Sequence, residues 1–316
     1  MNVLEATPRG LFCPAGNFYI DPPVPVKTAV LTHLHGDHAR AGSGEYFCAE
    51  GSAALVKHRL GPETVVYEIP YGQAFEIGGT KLSFHSAGHI LGSAQVAVET
   101  KNSPEKWVMS GDYKRDPDAS CPPFESVACD VFITEATFGL PIYRWEPIET
   151  IMAELTQWWN HNRDQVLAEL ARLGETRTVY THGAVETITE IYCRHGVRLL
   201  ATEKVSDEKK DYAGDLIIAP PSSFLSPWSR RFGAMESAFA SGWMRIRGNR
   251  RRRGYARGFT ISDHADWPSL LKTIEESRAR KILVTHGYAH PLVRFLQERG
   301  QPAESLSTTF EGETET

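Results

Sequence analysis

The sequence predicts an α/β protein in which a sheet-rich first part is followed by a helix-rich lobe and then by a return to strands. Three observations carry this. Over the first 140 residues short β-rich runs alternate with turns, at Phe18–Ile20, Ala29–Leu31, Lys81–Phe84, Ala94–Val98, Trp107–Met109 and Val131–Thr134, the pattern of a mixed or antiparallel sheet. From Ile148 the period changes, because Ile148, Ile151, Met152, Leu155 and Trp159 recur at helical spacing. Strand-like runs return at Thr178–Tyr180, Leu216–Ala219, Gly258–Ile261 and Lys281–Thr285, and the last two lead into loops that bear histidines.

The size suits this reading. A chain of 316 residues with 41% hydrophobic content can bury a full core as one large domain or two of ordinary size. No apolar run approaches the roughly 18 residues of a membrane span. The opening residues lack a basic-then-apolar signal peptide, so a cytoplasmic location is expected. Five cysteines, odd in number and without a C-x-x-C pair, argue against a disulfide framework and against a zinc ribbon. The net charge of −5 predicts no general attraction to nucleic acid, yet seven arginines and no acid lie between Arg245 and Arg257. Such a stripe acts on phosphates within a Debye length of about 8–10 Å whatever the total charge.

The chemistry begins where the run Thr28–Thr32, β-branched and apolar, reads as a buried strand. Directly after it, His33, His35, Asp37 and His38 put four metal-binding side chains inside six positions, a dinuclear signature at the carboxyl edge of a strand. His33 and His35 can converge on one ion, while Asp37 and His38 suit a second. Imidazole with carboxylate favours zinc and also accommodates manganese. Later, His89 lies in the glycine-flanked turn Ser86–Ser93, Asp112 follows Trp107–Met109 in a small-residue turn, and Asp21 precedes two prolines. Alone, each has an ordinary explanation: a surface histidine, an Asx-turn, the start of a proline turn.

Together these pieces resemble the metallo-β-lactamase fold, whose motifs are an Asp after an early strand, H-x-H-x-D-H, a later His and a later Asp, matched in order by Asp21, His33/His35/Asp37/His38, His89 and Asp112. The resemblance implies an αββα sandwich in which His33, His35 and His89 bind one ion, Asp37 and His38 a second, and Asp112 bridges them. Asp21 is then expected to orient a ligand histidine rather than to bind metal. In the second half, Phe132–Phe138 with Glu135, Ile261–Asp266 with His264, and Val284–Gly287 with His286 look like the three successive motifs of the β-CASP branch. That branch consists of nucleases.

The whole chain is similar to the bacterial ligase-associated DNA exonucleases, a β-CASP subgroup, in stretches such as Thr7–Gly16, Ser110–Arg115, Thr137–Arg144, Phe239–Met244 and Ser262–Trp267. This implies a metallo-β-lactamase domain formed by residues 1–140 and 249–316, with residues 141–248 as an inserted β-CASP α/β lobe. It also implies a DNA substrate, two divalent ions, a role in DNA repair, and a functional link to an ATP-dependent DNA ligase and helicase. One departure stands out. After Trp158 and Trp159 the family has a strand and a Y-A-L-G-K-A-Q segment, whereas here Asn160–Glu169 runs on directly, so the lobe is shortened near 160–165.

The expected mechanism uses hydroxide activated between two metals, with Asp37 in the catalytic set and His264 as the general acid. Glu135 holds the far nitrogen of His264, and His286 completes the second ion's coordination. Arg250, Arg251, Arg252 and Arg253 are expected to contact nucleic acid, with a solvated basic loop as the plain alternative. Trp228 and Trp243 can stack on bases or be buried. A β-CASP ribonuclease in RNA processing remains a second reading. A nucleic-acid-binding subunit with reduced activity, on account of the shortened lobe, remains a third.

Overall fold

The computed structural model describes residues 2–162, 178–208, 210–212, 215–246, 248–249 and 254–306. Arg250, Arg251, Arg252 and Arg253, the C-terminal tail, and the stretch after Asn162 that bears on the shortened lobe lie outside the described residues. The chain divides into two compact units, Met1–Arg144 with Asp263–Thr316, and Trp145–Ser262.

The first unit is mixed α/β and contains two sheets. In one, Glu5–Thr7, Gly10–Cys13, Phe18–Ile20, Thr28–Val30, Glu45–Ala49 and Val66–Ile69 lie side by side in chain order. The other runs Ala303–Ser305, Lys281–Val284, Val131–Thr134, Lys106–Met109, Ala94–Glu99, Thr80–Ser86, Ala74–Ile77. Its first four strands are parallel and the rest antiparallel. The strand period of two sorts side chains between two cores. Val96, Val98, Met109, Ile133 and Leu283 face Leu11, Phe18, Ile20 and Val30 of the first sheet. The intervening Ala97, Val108, Phe132, Ile282 and Val284 face the opposite way, onto Trp267 and Ile274 of helix Trp267–Ser277 and Leu292 and Leu296 of helix Ala289–Gln297. Each large side chain so buried contributes about 1.5–3 kcal/mol. Residues such as Ile133 and Val284, buried on strands covered on both faces, explain why these runs are continuously apolar.

The second unit contains a parallel sheet with Val179–Thr181 between Thr202–Lys204 and Leu216–Ile218. Its helix Ile148–Asn162 buries Ile151, Met152 and Leu155 against Phe259. Strand Arg257–Phe259 pairs with Ala238–Ala240. The expected C-terminal return begins at 249; strand Arg257–Phe259 pairs within this unit, and the two compact units part between Ser262 and Asp263.

Several strands carry no apolar run. Thr202–Lys204 and Val66–Ile69 are edge strands with mostly exposed or half-exposed side chains; backbone pairing defines them. All five cysteines are free thiols. Among the described residues, no helix is long and apolar enough to cross a membrane.

Candidate metal centre

Strand Thr28–Val30 is buried throughout and lies between Phe18–Ile20 and Glu45–Ala49. Pairing persists to Leu31, whose N–H donates to the Phe47 carbonyl at 2.8 Å, and the chain then turns sharply, with the His38 and Ala39 N–H groups donating to the His35 carbonyl at 3.2 and 3.0 Å. This turn gathers the histidines at the sheet edge. Asp21 anchors it from the neighbouring strand end. Its Oδ1 accepts the Thr32 N–H at 2.8 Å and its Oδ2 accepts the Thr32 hydroxyl at 2.5 Å. The same Oδ2 accepts from His38 Nδ1 at 2.8 Å. Asp21 is fully buried and adopts a left-handed backbone, φ 44°, a conformation Asp tolerates better than most residues. With Nδ1 so held, His38 presents Nε2 to the centre.

His89 is oriented by a different device. Its N–H donates to Ser93 Oγ at 3.1 Å, and its Nδ1 lies 2.8 Å from the backbone carbonyl oxygen of Asp263. A carbonyl can only accept, so Nδ1 carries the hydrogen and Nε2 offers a lone pair inward. His89 Nε2 lies 3.1 Å from His35 Nδ1, the two nitrogens aimed at one point. Asp112 follows Lys106–Met109 through Gly111, whose φ of 59° and lack of a side chain let this turn pass against Thr32; a Cβ there would stand 2.7 Å from Thr32 Cβ. His286 follows Lys281–Val284 with φ 58°. The next residue, Gly287, packs so closely that a Cβ would collide with the Ala136 carbonyl.

Two donor groups result. His33, His35, His89 and Asp112 each offer an atom within 4.8 Å of the others, and so do His38, Asp112 and His286. Asp112 belongs to both, with Oδ2 at 3.5 Å from His33 Nε2 and 3.3 Å from His38 Nε2. Asp37 stands at the rim, 21% exposed, with Oδ2 3.6 Å from His38 Nε2 and outside either group. Beside them, Glu135 is fully buried; its Oε1 accepts the Tyr113 N–H at 2.8 Å and its Oε2 accepts from His264 Nδ1 at 2.9 Å. His264 also shares donor groupings with Asp112 and Glu135, and with His89 and Asp263.

Protonation follows from burial and charge. Burial, then the charge of His38, holds His33 well below the ordinary histidine range. Burial, with His89 beside it, lowers His35 to about 4. Burial also lowers His89 and His286. Neutral imidazole is the metal-binding form. Burial would lower His38 as well, but Asp112 and Asp21 outweigh it and raise it well above the ordinary value. His264 is raised likewise, burial being outweighed by Glu135 and Asp112. Burial would raise Asp112, but the charges of His38 and His264 hold it well below the carboxylate range.

The donors fit divalent metal ions. His33 Nε2 is buried without a hydrogen-bond partner, a costly state that a cation relieves, and the imidazole–carboxylate set suits zinc or manganese. Sequence reasoning left three contributors without a role: Thr32, which ties Asp21 to the loop, the Tyr113 backbone, and Asp263. The Asp263 carbonyl holds His89, and its Oδ1 lies 3.8 Å from His264 Nε2. Burial would raise Asp263, but His89 and His264 outweigh it and lower the carboxyl to about 2. The Asp-His doublet at 263–264 was the available signal. Two other residues have plain structural places. His182 caps helix Gly183–Arg194, accepting from the Ala184 N–H, and Trp243 is buried.

No family model matches the chain. It is 28% identical over 315 residues, 94% of its length, to a probable DNA ligase from Opitutus terrae, of which it spans only 30%. It is 35% identical over 94 residues, 28% of its length, to the endoribonuclease YSH1 of Kluyveromyces lactis, 11% of that protein. A similar match, 30% over 129 residues, covers 40% of the chain and 15% of YSH1 from Eremothecium gossypii. A crystal structure of a protein of unknown function from Enterococcus faecalis V583 superposes with a TM-score of 0.57 at 11% identity, over 90% of this chain and 80% of that one. The chain shares its α/β fold with that protein.

Proposed function

We propose that this chain is a dinuclear-metal phosphodiesterase acting as a DNA exonuclease in DNA repair. In this reading the first unit is a metallo-β-lactamase scaffold and Trp145–Ser262 is its inserted β-CASP lobe. One observation carries it: two donor groups share Asp112, and beside them His264 Nδ1 lies against the buried carboxylate of Glu135. The names of the relatives, a probable DNA ligase and an endoribonuclease, support phosphodiester chemistry. The first also supports a link to strand joining.

His33, His35 and His89 would hold one ion and His38 and His286 the other, with Asp112 between them and Asp37 at the rim. Bound divalent ions supply Lewis acidity toward the phosphodiester and acidify water. The chain's own residues do the rest. Asp21 and the Asp263 carbonyl fix two imidazoles so that their Nε2 atoms face inward. Glu135 accepts the Nδ1 hydrogen of His264, which keeps the second proton on Nε2. His264 gives that proton to the departing sugar oxygen, the step a general acid must supply. The half-buried carboxylate of Asp263 near His264 Nε2 disfavours any pose that brings a second phosphate against the acid.

The test is digestion of end-labelled DNA and RNA, each with 5′-phosphate or 5′-hydroxyl, in zinc or manganese. Stepwise loss of nucleotides from DNA is expected. Digestion of RNA alone would install the second reading, a β-CASP ribonuclease, which the similarity to YSH1 favours.

A further inference from the structure

One cation lies against the metal-binding loop without an acid to match it. Helix Ala53–Leu60 follows strand Glu45–Ala49 and touches two turns that carry donors. At its start, Ser52 Oγ donates to the Gly92 carbonyl at 2.9 Å, in the turn that bears His89. At its end, Arg59 reaches Gly36, between His35 and Asp37; a Cβ on Gly36 would stand 2.6 Å from Arg59 Nη2. The missing side chain of Gly36 gives the guanidinium its room. Arg59 stands one turn on from the buried Leu55 and Val56, so it shares their face of the helix and is turned toward the loop.

Among the described residues Arg59 makes no ion pair and no side-chain hydrogen bond, not even with Asp37 next to Gly36. Other cations of this unit are matched: Lys81 with Glu99, Lys114 with Asp118, Arg115 with Glu276 and Lys281 with Glu304. The negative end of the helix dipole accounts for basic residues in a last turn, where Lys57 and His58 also lie. It does not account for a guanidinium set on the backbone of a metal loop with its donors unused. A planar fork of N–H groups suits an anion that offers two oxygens, as phosphate does.

We propose that Arg59 clamps a phosphate next to the scissile one in a nucleic-acid strand seated on the metal centre. A strand that puts one phosphate on the metals carries the next along the rim. The Asp263 carboxylate disfavours that neighbour beside His264, and Arg59 attracts it at the His33–His38 loop. The nucleic-acid occupant rests on the phosphodiesterase reading above; the unmatched guanidinium does not.

The experiment gives the metal-loaded whole chain two substrates: a single-stranded oligodeoxynucleotide, and bis(4-nitrophenyl) phosphate, a diester with no neighbouring phosphate. Arg59→Gln should raise KM for the oligonucleotide about ten- to hundredfold, the worth of a hydrogen bond to a charged group, with kcat changed less. Its kcat/KM for the oligonucleotide should fall at least about tenfold further than that for the small diester. Arg59→Lys keeps the charge without the fork and should recover part of the loss. The neighbouring phosphate is then neutralised in the substrate, as a methylphosphonate linkage or as a 5′-hydroxyl in place of a 5′-phosphate. One of these should cost the unmodified protein as much as the substitution does and cost Arg59→Gln nothing further, which tells an internal phosphate from a terminal one. Equal losses on both substrates would overturn the clamp, as would unchanged oligonucleotide kinetics. So would an Arg59→Gln protein as sensitive to both neutralised substrates as the unmodified one. If the unmodified protein hydrolyses neither substrate in zinc or manganese, the phosphodiesterase reading fails, and binding of the uncleaved oligonucleotide decides the clamp. Weaker binding by Arg59→Gln, with the difference erased by one of the neutralised substrates, upholds it; equal binding overturns it.

Discussion

Glu135 and His264, 129 positions apart, meet as a buried pair with His264 Nδ1 2.9 Å from Glu135 Oε2. The pair sets the charge of the imidazole beside the donor groups. Glu135→Gln keeps the shape and removes the charge, so His264 should lose its proton at a lower pH and nuclease activity should fall by roughly 10²–10⁴-fold, the usual worth of a general acid. Imidazole NMR on metal-free protein reads the shift directly. Because the folded-state value of His264 is raised, the pair's contribution to stability is complete below the ordinary value of about 6.5 and is lost as pH rises through the raised value. A His264→Ala protein that retained its metals and full activity would remove the acid assignment.

Asp112 is common to both donor groups, so its loss should be felt twice. Asp112→Ala is expected to lose both ions, whereas His286→Ala should lose only one, as counted by native mass spectrometry or elemental analysis. Equal metal content in the two variants would contradict a shared carboxylate.

Asp21 touches His38 Nδ1 and lies outside both donor groups. Asp21→Asn preserves the buried volume and tolerates the left-handed backbone, but it weakens the hold on His38 Nδ1. Metal affinity should fall about 10–100-fold, the range for partners of ligand histidines, in competition with a chelator. Metal binding to the unmodified protein near pH 7 should also release a proton, since Asp112 and Asp21 raise His38 well above the ordinary histidine value. A pH-indicator titration measures it.

Between the sheets, Phe84 is fully buried in the shared core. Phe84→Ala should cost about 3–5 kcal/mol in urea unfolding. Gly287→Ala should also destabilise, through its left-handed backbone and the collision with the Ala136 carbonyl. A Phe84→Ala protein of unchanged stability would mean the sheets do not pack as described.

Strands buried on both faces were legible in the sequence because they must be apolar throughout. Val131–Thr134 and Lys281–Val284 are of this kind. Edge strands such as Thr202–Lys204 were not, because backbone pairing alone defines them. That the second unit runs on to Ser262 is hidden in the sequence for a related reason. The pairing of Arg257–Phe259 with Ala238–Ala240 depends on a partner distant in sequence.

The donors themselves were legible as residue types at strand ends: the dense run His33 to His38, then single residues at 89, 112, 264 and 286. The sequence by itself determined that these groups exist and that each follows a strand. Only the tertiary structure decided how they converge. It brought Asp112 within reach of both His33 and His38 and left Asp37 at the rim. It also turned the Asp263 carbonyl onto His89 and lowered one set of imidazoles while raising His38 and His264. The physical reason is that coordination and protonation depend on distances of a few ångströms and on desolvation. Both are fixed by packing two sheets together, and neither is written in the spacing of any one segment.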